Sequence, residues 1–318
     1  MSVLITGGCG FIGRHLARAL TGRGEDVVLF DAAPLAPGEI GRLIGSRATA
    51  VAGDISQRDA VAGVMRRYRP DSVIHAAAVV GVAATAHAPR HAAEVNILGA
   101  LNVFEAATRH AAVRRLVDLS SEEVYGHFPV DPMTEEAFAE PISPYGISKH
   151  AIEQFGGYYA DQEQLSYVAA RLCWVYGPGF PRQRLPLPWL GDVVNGRASV
   201  LEHGGDQRID FTYVTDAVQG ILRLHDAPAL RYRAYNVATG IGTSLRELAG
   251  LMHSLWPRWS VELGDGPLRL APGVEAATKG ALSIKRIGSE LGYRPEVTLA
   301  EGLQRTHDWL MRAQRERP

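Results

Sequence analysis

The 318-residue chain has no apolar run of membrane-spanning length and no long run of one charge sign. A spanning helix needs about 20 consecutive apolar residues, and the absence of such a run argues against a membrane protein. Thirty-three basic residues face 34 acidic ones, for a formal net charge of −1. That balance offers neither a nucleic-acid groove nor a polybasic membrane surface. Cysteine is scarce: only Cys9 and Cys173 occur, too few for a disulfide framework, and a reducing compartment is expected. The chain enters directly on Ser2-Val3-Leu4-Ile5-Thr6 without a basic leader, so a cytoplasmic protein is expected. Internal repeats and low-complexity tracts are lacking too. What is plentiful is apolar: 46% of residues are hydrophobic, enough for one large domain or two closely joined ones.

The first thirty residues carry a dinucleotide-binding pattern. Val3-Leu4-Ile5 is a short apolar run ending at Thr6-Gly7-Gly8-Cys9-Gly10-Phe11-Ile12-Gly13. A helical pattern through Ile12, Leu16, Ala19 and Leu20 stops at Gly22 to Gly24, and Val27-Val28-Leu29-Phe30 then leads to Asp31. Gly7, Gly10 and Gly13 give a G-x-x-G-x-x-G spacing. The first glycine turns the chain, the second lets backbone approach a pyrophosphate, and the third lets the helix pack on the strand. The helix N-terminus presents unpaired N–H groups to the phosphates. Asp31 stands eighteen residues after Gly13, where a carboxylate accepts from both adenosine-ribose hydroxyls and repels a 2′-phosphate. Ala32 and Ala33 follow, so no Arg welcomes that phosphate, and the cofactor expected is NAD.

Strand and helix patterns keep alternating. Thr49 to Ala52 reads as a strand ending at Gly53-Asp54, where Asp54 either meets the adenine edge or caps the helix near Arg58–Tyr68. Ser72 to His75 is a fourth strand. The small residues Ala76, Ala77 and Ala78 after it suit either a cofactor's approach or sheet-to-helix packing. A helix is expected over about His91 to His110, and Arg115 to Ser120 is a fifth strand. The fold class expected is α/β: a Rossmann-type, doubly wound parallel sheet with its site at the strands' C-terminal ends. Residues 1–172 form the NAD-binding domain and 173–318 mostly a smaller substrate-binding domain, with some segments returning to the sheet. In that second half, Ile209 to Tyr213 reads as one strand. Ser244-Leu245-Arg246-Glu247 and Thr298-Leu299-Ala300-Glu301 read as capping boxes that open helices.

Tyr145-Gly146-Ile147-Ser148-Lys149 places a Tyr and a Lys one helical turn apart. An ammonium beside a phenol favours the phenolate, and such a pair takes a proton from a substrate alcohol while a hydride leaves its carbon. The hydroxyls at Ser120-Ser121, at a strand end, are placed to hold the substrate oxygen.

With these motifs in order, the chain resembles the extended short-chain dehydrogenase/reductase family, the NAD-dependent epimerase/dehydratase group. The resemblance rests on Thr6–Gly13, Asp31, His75–Ala78, Asn96, Ser120–Gly126, Tyr145–Lys149, Val175–Gly179, Phe211–Asp216 and Tyr235–Ala238. It implies Ser121 as the catalytic hydroxyl, Tyr145 as general base, and Lys149 as the residue that binds the nicotinamide ribose and assists Tyr145. Phe11, Ile12, Ile55 and Asn96 join the glycines, Asp31, Asp54 and Ala76–Ala78 in the implied NAD site. A homodimer through the helices carrying Asn96 and Lys149 is implied as well. The implied substrate is a nucleotide sugar whose carbinol is oxidised to a ketone, after which epimerisation, dehydration or decarboxylation follows with hydride return. Some members stop at the first step as plain dehydrogenases.

Three sites depart from the family, the first of them a pair of residues. Glu122 and Glu123 stand where 4,6-dehydratases carry Asp-Glu; they serve acid/base chemistry beside a ketone, or one faces solvent while the other accepts backbone N–H bonds. Trp174 replaces an Asn that hydrogen-bonds the nucleotide sugar; it stacks on a sugar, narrows the pocket, or packs at the domain seam. Ile209 replaces a phosphate-gripping Arg. Neighbouring side chains in a strand face opposite sides, so Arg208 reaches the substrate only if the register shifts. Arg182 and Arg184 are candidates for an anion contact or for solvated loop charges, and Arg269 for a phosphate contact. The candidate substrate residues are therefore Ser121, Trp174, Arg182 and Arg208, with no metal site expected. The function expected is a nucleotide-sugar 4-epimerase-like enzyme. The alternatives are an NAD-dependent dehydrogenase of a free sugar or sugar acid, a nucleotide-sugar dehydratase or decarboxylase, and an idle NAD-binding regulator.

Overall fold

A computed structural model describes residues 1–109, 113–181 and 183–315, with the side chain of Pro37 excepted. Arg182 and His110 lie outside the described residues. Seven parallel strands make the central sheet, in the order β7-β6-β5-β4-β1-β2-β3. They are β1 (Ser2–Thr6), β2 (Asp26–Asp31), β3 (Ala48–Ala52), β4 (Ser72–His75), β5 (Arg115–Ser121), β6 (Tyr167–Leu172) and β7 (Ala234–Val237). Helices cover both faces, so the central strands read as nearly unbroken apolar runs and are buried along their length. The chain reverses direction of winding between β1 and β4, which opens a crevice at their C-terminal ends. The last strand, β7, comes from beyond residue 172, so the second half of the chain contributes to the first half's sheet.

Two helices position the site. Helix α1 (Phe11–Gly22) follows β1 and packs Phe11, Leu16, Ala17 and Leu20 inward. Helix α2 (Pro144–Gln162) starts at Ser143, whose hydroxyl accepts the Gly146 amide at 3.1 Å, with Pro144 in its first turn. The helix expected over His91–His110 is broken into three pieces: Pro89–Ala92, a π-helical widening at Ala93–Leu98, and Gly99–Arg109. Asn96 sits in the widened turn.

The single strand expected at Ile209–Tyr213 is corrected to two. Arg208–Ile209 pairs antiparallel with Thr243–Ser244, and Thr212–Tyr213 pairs parallel with Val175–Tyr176. The cause is Asp210 between them. Its buried carboxylate accepts from the amides of Thr239, Gly240 and Leu282 and from the Thr239 hydroxyl, which turns the chain out of one ladder and into another. The two capping boxes are formed: Ser244 exchanges bonds with Glu247, and Thr298 with Glu301. Cys9 and Cys173 are free and buried. Among the described residues, no helix is long and apolar enough to cross a membrane, and no group of metal-binding side chains gathers.

Candidate active site

One cavity of about 1000 Å³ runs along the C-terminal ends of the strands. Its first end is made of backbone. Gly7, at φ +64°, lies so close to the next crossover that an added Cβ would sit 2.7 Å from the backbone of Ala77. At Gly13 an added Cβ would meet the Gly7 carbonyl at 2.5 Å. These contacts leave Gly10 open to the cavity, and it begins α1 with no side-chain cap. The N–H groups of that first turn are available to an anion. Asp31 is fixed at the far side of the turn, accepting the amides of Cys9 and Ala33 at 3.0 Å each, with its carboxylate bordering the cavity. Asp54 borders it as well. It accepts the Ser56 amide at 2.8 Å and does not cap the following helix, whose N-cap is Gln57. Phe11, Ile12, Ile55 and Ala76 to Ala78 complete this wall. A dinucleotide fits these groups: an uncapped helix end for its diphosphate and a fixed carboxylate for its ribose.

The cavity then reaches Ser121, Tyr145 and Lys149. Ser121 ends β5, and its Oγ accepts the Glu123 amide at 3.3 Å. Tyr145 and Lys149 come from the first two turns of α2, and Lys149 Nζ donates to the Leu119 carbonyl at 2.6 Å. Gly146 allows the approach of this helix: a Cβ there would lie 2.3 Å from the Glu123 carbonyl. Asn96 is in the supporting layer and not in the wall. It binds both backbone groups of Val79, at 2.7 and 3.1 Å, and the Ser148 hydroxyl at 3.0 Å. It thereby joins the loop after β4 to α2.

Glu122 and Glu123 line the cavity next to Ser121, both buried. Burial raises the Glu122 carboxyl above the usual range; Lys279 opposes this, while the neighbouring Glu123 adds to it. Cys173 Sγ donates to Glu122 Oε2 at 2.8 Å. Lys279, which sequence reasoning missed, reaches the pair from the far half of the chain. Its Nζ is 3.6 Å from Glu123 Oε1 and 3.4 Å from the Glu122 carbonyl oxygen. Nothing in the local sequence around Lys279 marks it, since only the tertiary fold brings the two segments together.

At the second end, Trp174 and Arg184 both line the cavity, with the Arg184 guanidinium 3.5 Å from the centre of a Trp174 ring. Arg269 borders the cavity from a short strand, Arg269–Ala271. Ile209 is in the core, and Arg208 points the other way, as strand alternation requires. Arg208 binds the Gly242 carbonyl and lies 3.4 Å from Asp131 and 3.6 Å from Glu247. The register does not shift, and Arg208 stays outside the cavity wall.

Comparison with known proteins agrees with this architecture. The model of the NAD dependent epimerase/dehydratase family matches residues 3–238. A UDP-glucose 4-epimerase of Mycolicibacterium smegmatis is 31% identical, covering 96% of this chain and 97% of its own. The solved UDP-glucose 4-epimerase of Thermotoga maritima with UDP-glucose superposes with a TM-score of 0.88 at 26% identity, over 99% of this chain and 100% of that one. The Thermus thermophilus UDP-glucose 4-epimerase complex with NAD does so with a TM-score of 0.84 at 28% identity, over 97% and 98%. The glycine turn, the acid that ends β2 and the Tyr–Lys helix thus stand in a frame shared along nearly the whole chain, which belongs to the NAD-dependent epimerase/dehydratase family and takes NAD as its cofactor.

Proposed function

We propose that this protein is a nucleotide-sugar 4-epimerase that acts on a UDP-sugar, with Tyr145, Lys149 and Ser121 carrying the proton transfer. The observation that carries the reading is the continuity of the cavity: it passes from Asp31 and Gly10, through Tyr145, to Arg184 and Arg269. The second end has cations for an anionic substrate tail, and the relatives named above are UDP-glucose 4-epimerases. When bound, the nicotinamide supplies a reversible hydride acceptor. Ser121 Oγ holds the substrate oxygen. Tyr145 takes the hydroxyl proton as the carbinol becomes a ketone, and gives it back when the alcohol is restored on the other face. Lys149 keeps positive charge beside Tyr145 and binds the cofactor's ribose. Glu122 and Glu123 line the cavity next to Ser121, with Glu122 disposed to hold a proton and Lys279 set against Glu123.

The test is turnover of UDP-glucose and UDP-galactose by purified protein. The expected result is interconversion without net NADH. Stoichiometric NADH from a free sugar or sugar acid, with no UDP-sugar conversion, would replace this reading with the dehydrogenase.

The same reading includes a homodimer. Ile147, Phe155 and Tyr158 form one exposed apolar face of α2, and Leu98 is exposed on the neighbouring helical segment. A cytoplasmic setting suits two free thiols. The division at residue 172 belongs to the proposal as well, with β7 as a returning segment.

A further inference from the structure

Under α2 the sheet carries a row of buried polar side chains that proton transfer at Tyr145 does not by itself require. Thr6, His75 and Asp118 are register partners across β1, β4 and β5, and each is fully buried. Parallel partners point to the same side of a sheet. Thr6 Oγ1 accepts the Ala77 amide at 3.3 Å and shares a hydrogen bond with His75 Nδ1 at 2.7 Å. The other ring nitrogen, Nε2, is buried with no hydrogen-bond partner among the described residues. On the neighbouring strand, Asp118 Oδ1 is likewise a buried acceptor without a partner among the described residues, and its Oδ2 takes a long bond from the Tyr167 hydroxyl, at 3.4 Å.

The groups facing Asp118 can be taken element by element. From β4 comes His75, which burial and then Lys149 push down to about 3, so it is uncharged. From β6 come Tyr167 and Arg171. From α2 come Glu153 and Lys149. Glu153 is fully engaged: Arg171 holds both its oxygens, at 2.6 to 3.2 Å, and Ser120 donates to one of them. Lys149, 2% exposed, has its ammonium on the Leu119 carbonyl, the residue after Asp118. A neutral carbonyl does not offset a buried charge; an ionised partner does. Among the described residues, Asp118 is the buried carboxylate on the sheet side of α2 with no hydrogen-bonded cation.

We propose that Asp118 is a positioning residue, the buried counter-charge that keeps Lys149 protonated and through it sets the pH range in which Tyr145 works. The catalytic half of this statement rests on the proposed roles of Tyr145 and Lys149; the electrostatic half does not. Removing a nearby negative charge makes an ammonium easier to deprotonate.

The chain has only three lysines, Lys149, Lys279 and Lys285. Full-length, NAD-loaded protein labelled with ¹³C at the lysine ε-carbon therefore gives three signals, and Lys149→Arg assigns one of them. In Asp118→Asn the Lys149 signal should titrate about one pH unit lower than in the wild type. The alkaline limb of kcat for UDP-glucose should move down with it, while KM changes less than about twofold. Asp118→Glu should restore both, a rescue that a packing role would not give. Asp118→Ser is the second neutral variant if Asp118→Asn does not fold. In the wild type itself, the Lys149 signal should show a small inflection near pH 6, where buried Asp118 takes up its proton. Titration of Lys149 unmoved in the neutral variants, or no inflection near pH 6 in the wild type, overturns the proposal. A shifted Lys149 titration in a protein that turns over no UDP-sugar upholds the counter-charge and overturns the epimerase reading instead.

Discussion

The two ends of the cavity are built on different principles. The NAD end is made of backbone: a glycine turn, an uncapped helix start and one carboxylate tied to two amides. The end proposed to hold the substrate is made of side chains from segments far apart in the chain: Trp174, Arg184, Arg269 and, behind Glu122 and Glu123, Lys279. Backbone geometry tolerates few residue types, so the first end is constrained to a short sequence pattern. Side-chain constellations can be built from many places in a chain, so the second end is not tied to a short sequence pattern.

The comparison breaks most sharply where the ends meet. Tyr145→Phe removes the proton carrier without changing the shape of the cavity, and activity should fall by about 10²–10⁴ with NAD binding kept, as read by turnover and cofactor titration. Retained turnover would move the proton transfer elsewhere. Lys279→Met should come next. It leaves Glu122 and Glu123 buried without their cation, a change that typically costs about 3–5 kcal/mol. The loss, read from urea midpoints, should shrink as pH falls, because carboxyls freed of Lys279 can take protons. Gly13→Ala tests the backbone end. A methyl 2.5 Å from the Gly7 carbonyl should cost about 1–3 kcal/mol and weaken NAD binding, with little effect on UDP affinity.

Legibility follows the same division. Gly7, Gly10, Gly13 and Asp31 can be read from spacing, because one turn can satisfy the close approaches at Ala77 and Gly7 in only one way. The parallel sheet was legible for a similar reason, since strand and helix periods alternate without interruption through Leu172. Arg208, a candidate substrate residue, lies outside the cavity wall, because ordinary strand alternation opposite buried Ile209 turns it outward. The strand break at Asp210 was not legible, because its partners Thr239, Gly240 and Leu282 lie well along the chain. Lys279 is the same case: its meaning comes from meeting Glu123, and no local pattern records that. The pairing of His75 with Asp118 needed the strand register.

His75 gives the smallest and most graded test, since it belongs to the backbone end yet titrates. Burial, and after it Lys149, lower its pKa from 6.5 to about 3. Above pH 6.5 the ring is neutral in folded and unfolded chains alike, and it has no effect on stability. As pH falls below 6.5 the unfolded ring takes a proton that the folded one refuses, so stability is lost progressively down to about pH 3. Asp118 works in the opposite sense: raised to about 6, it takes its proton in the folded state first and returns some stability between pH 6 and 3.8. Comparison with His75→Asn isolates the histidine, because Asn can still hydrogen-bond Thr6 in either direction but carries no titrating group. Between pH 8 and pH 5 the wild type should lose about 2 kcal/mol relative to the variant, measured as the difference in urea unfolding free energy. A difference that stays constant with pH would mean that the ring titrates alike in the folded and unfolded chains, and the uncharged His75 of the buried row would have to be redrawn.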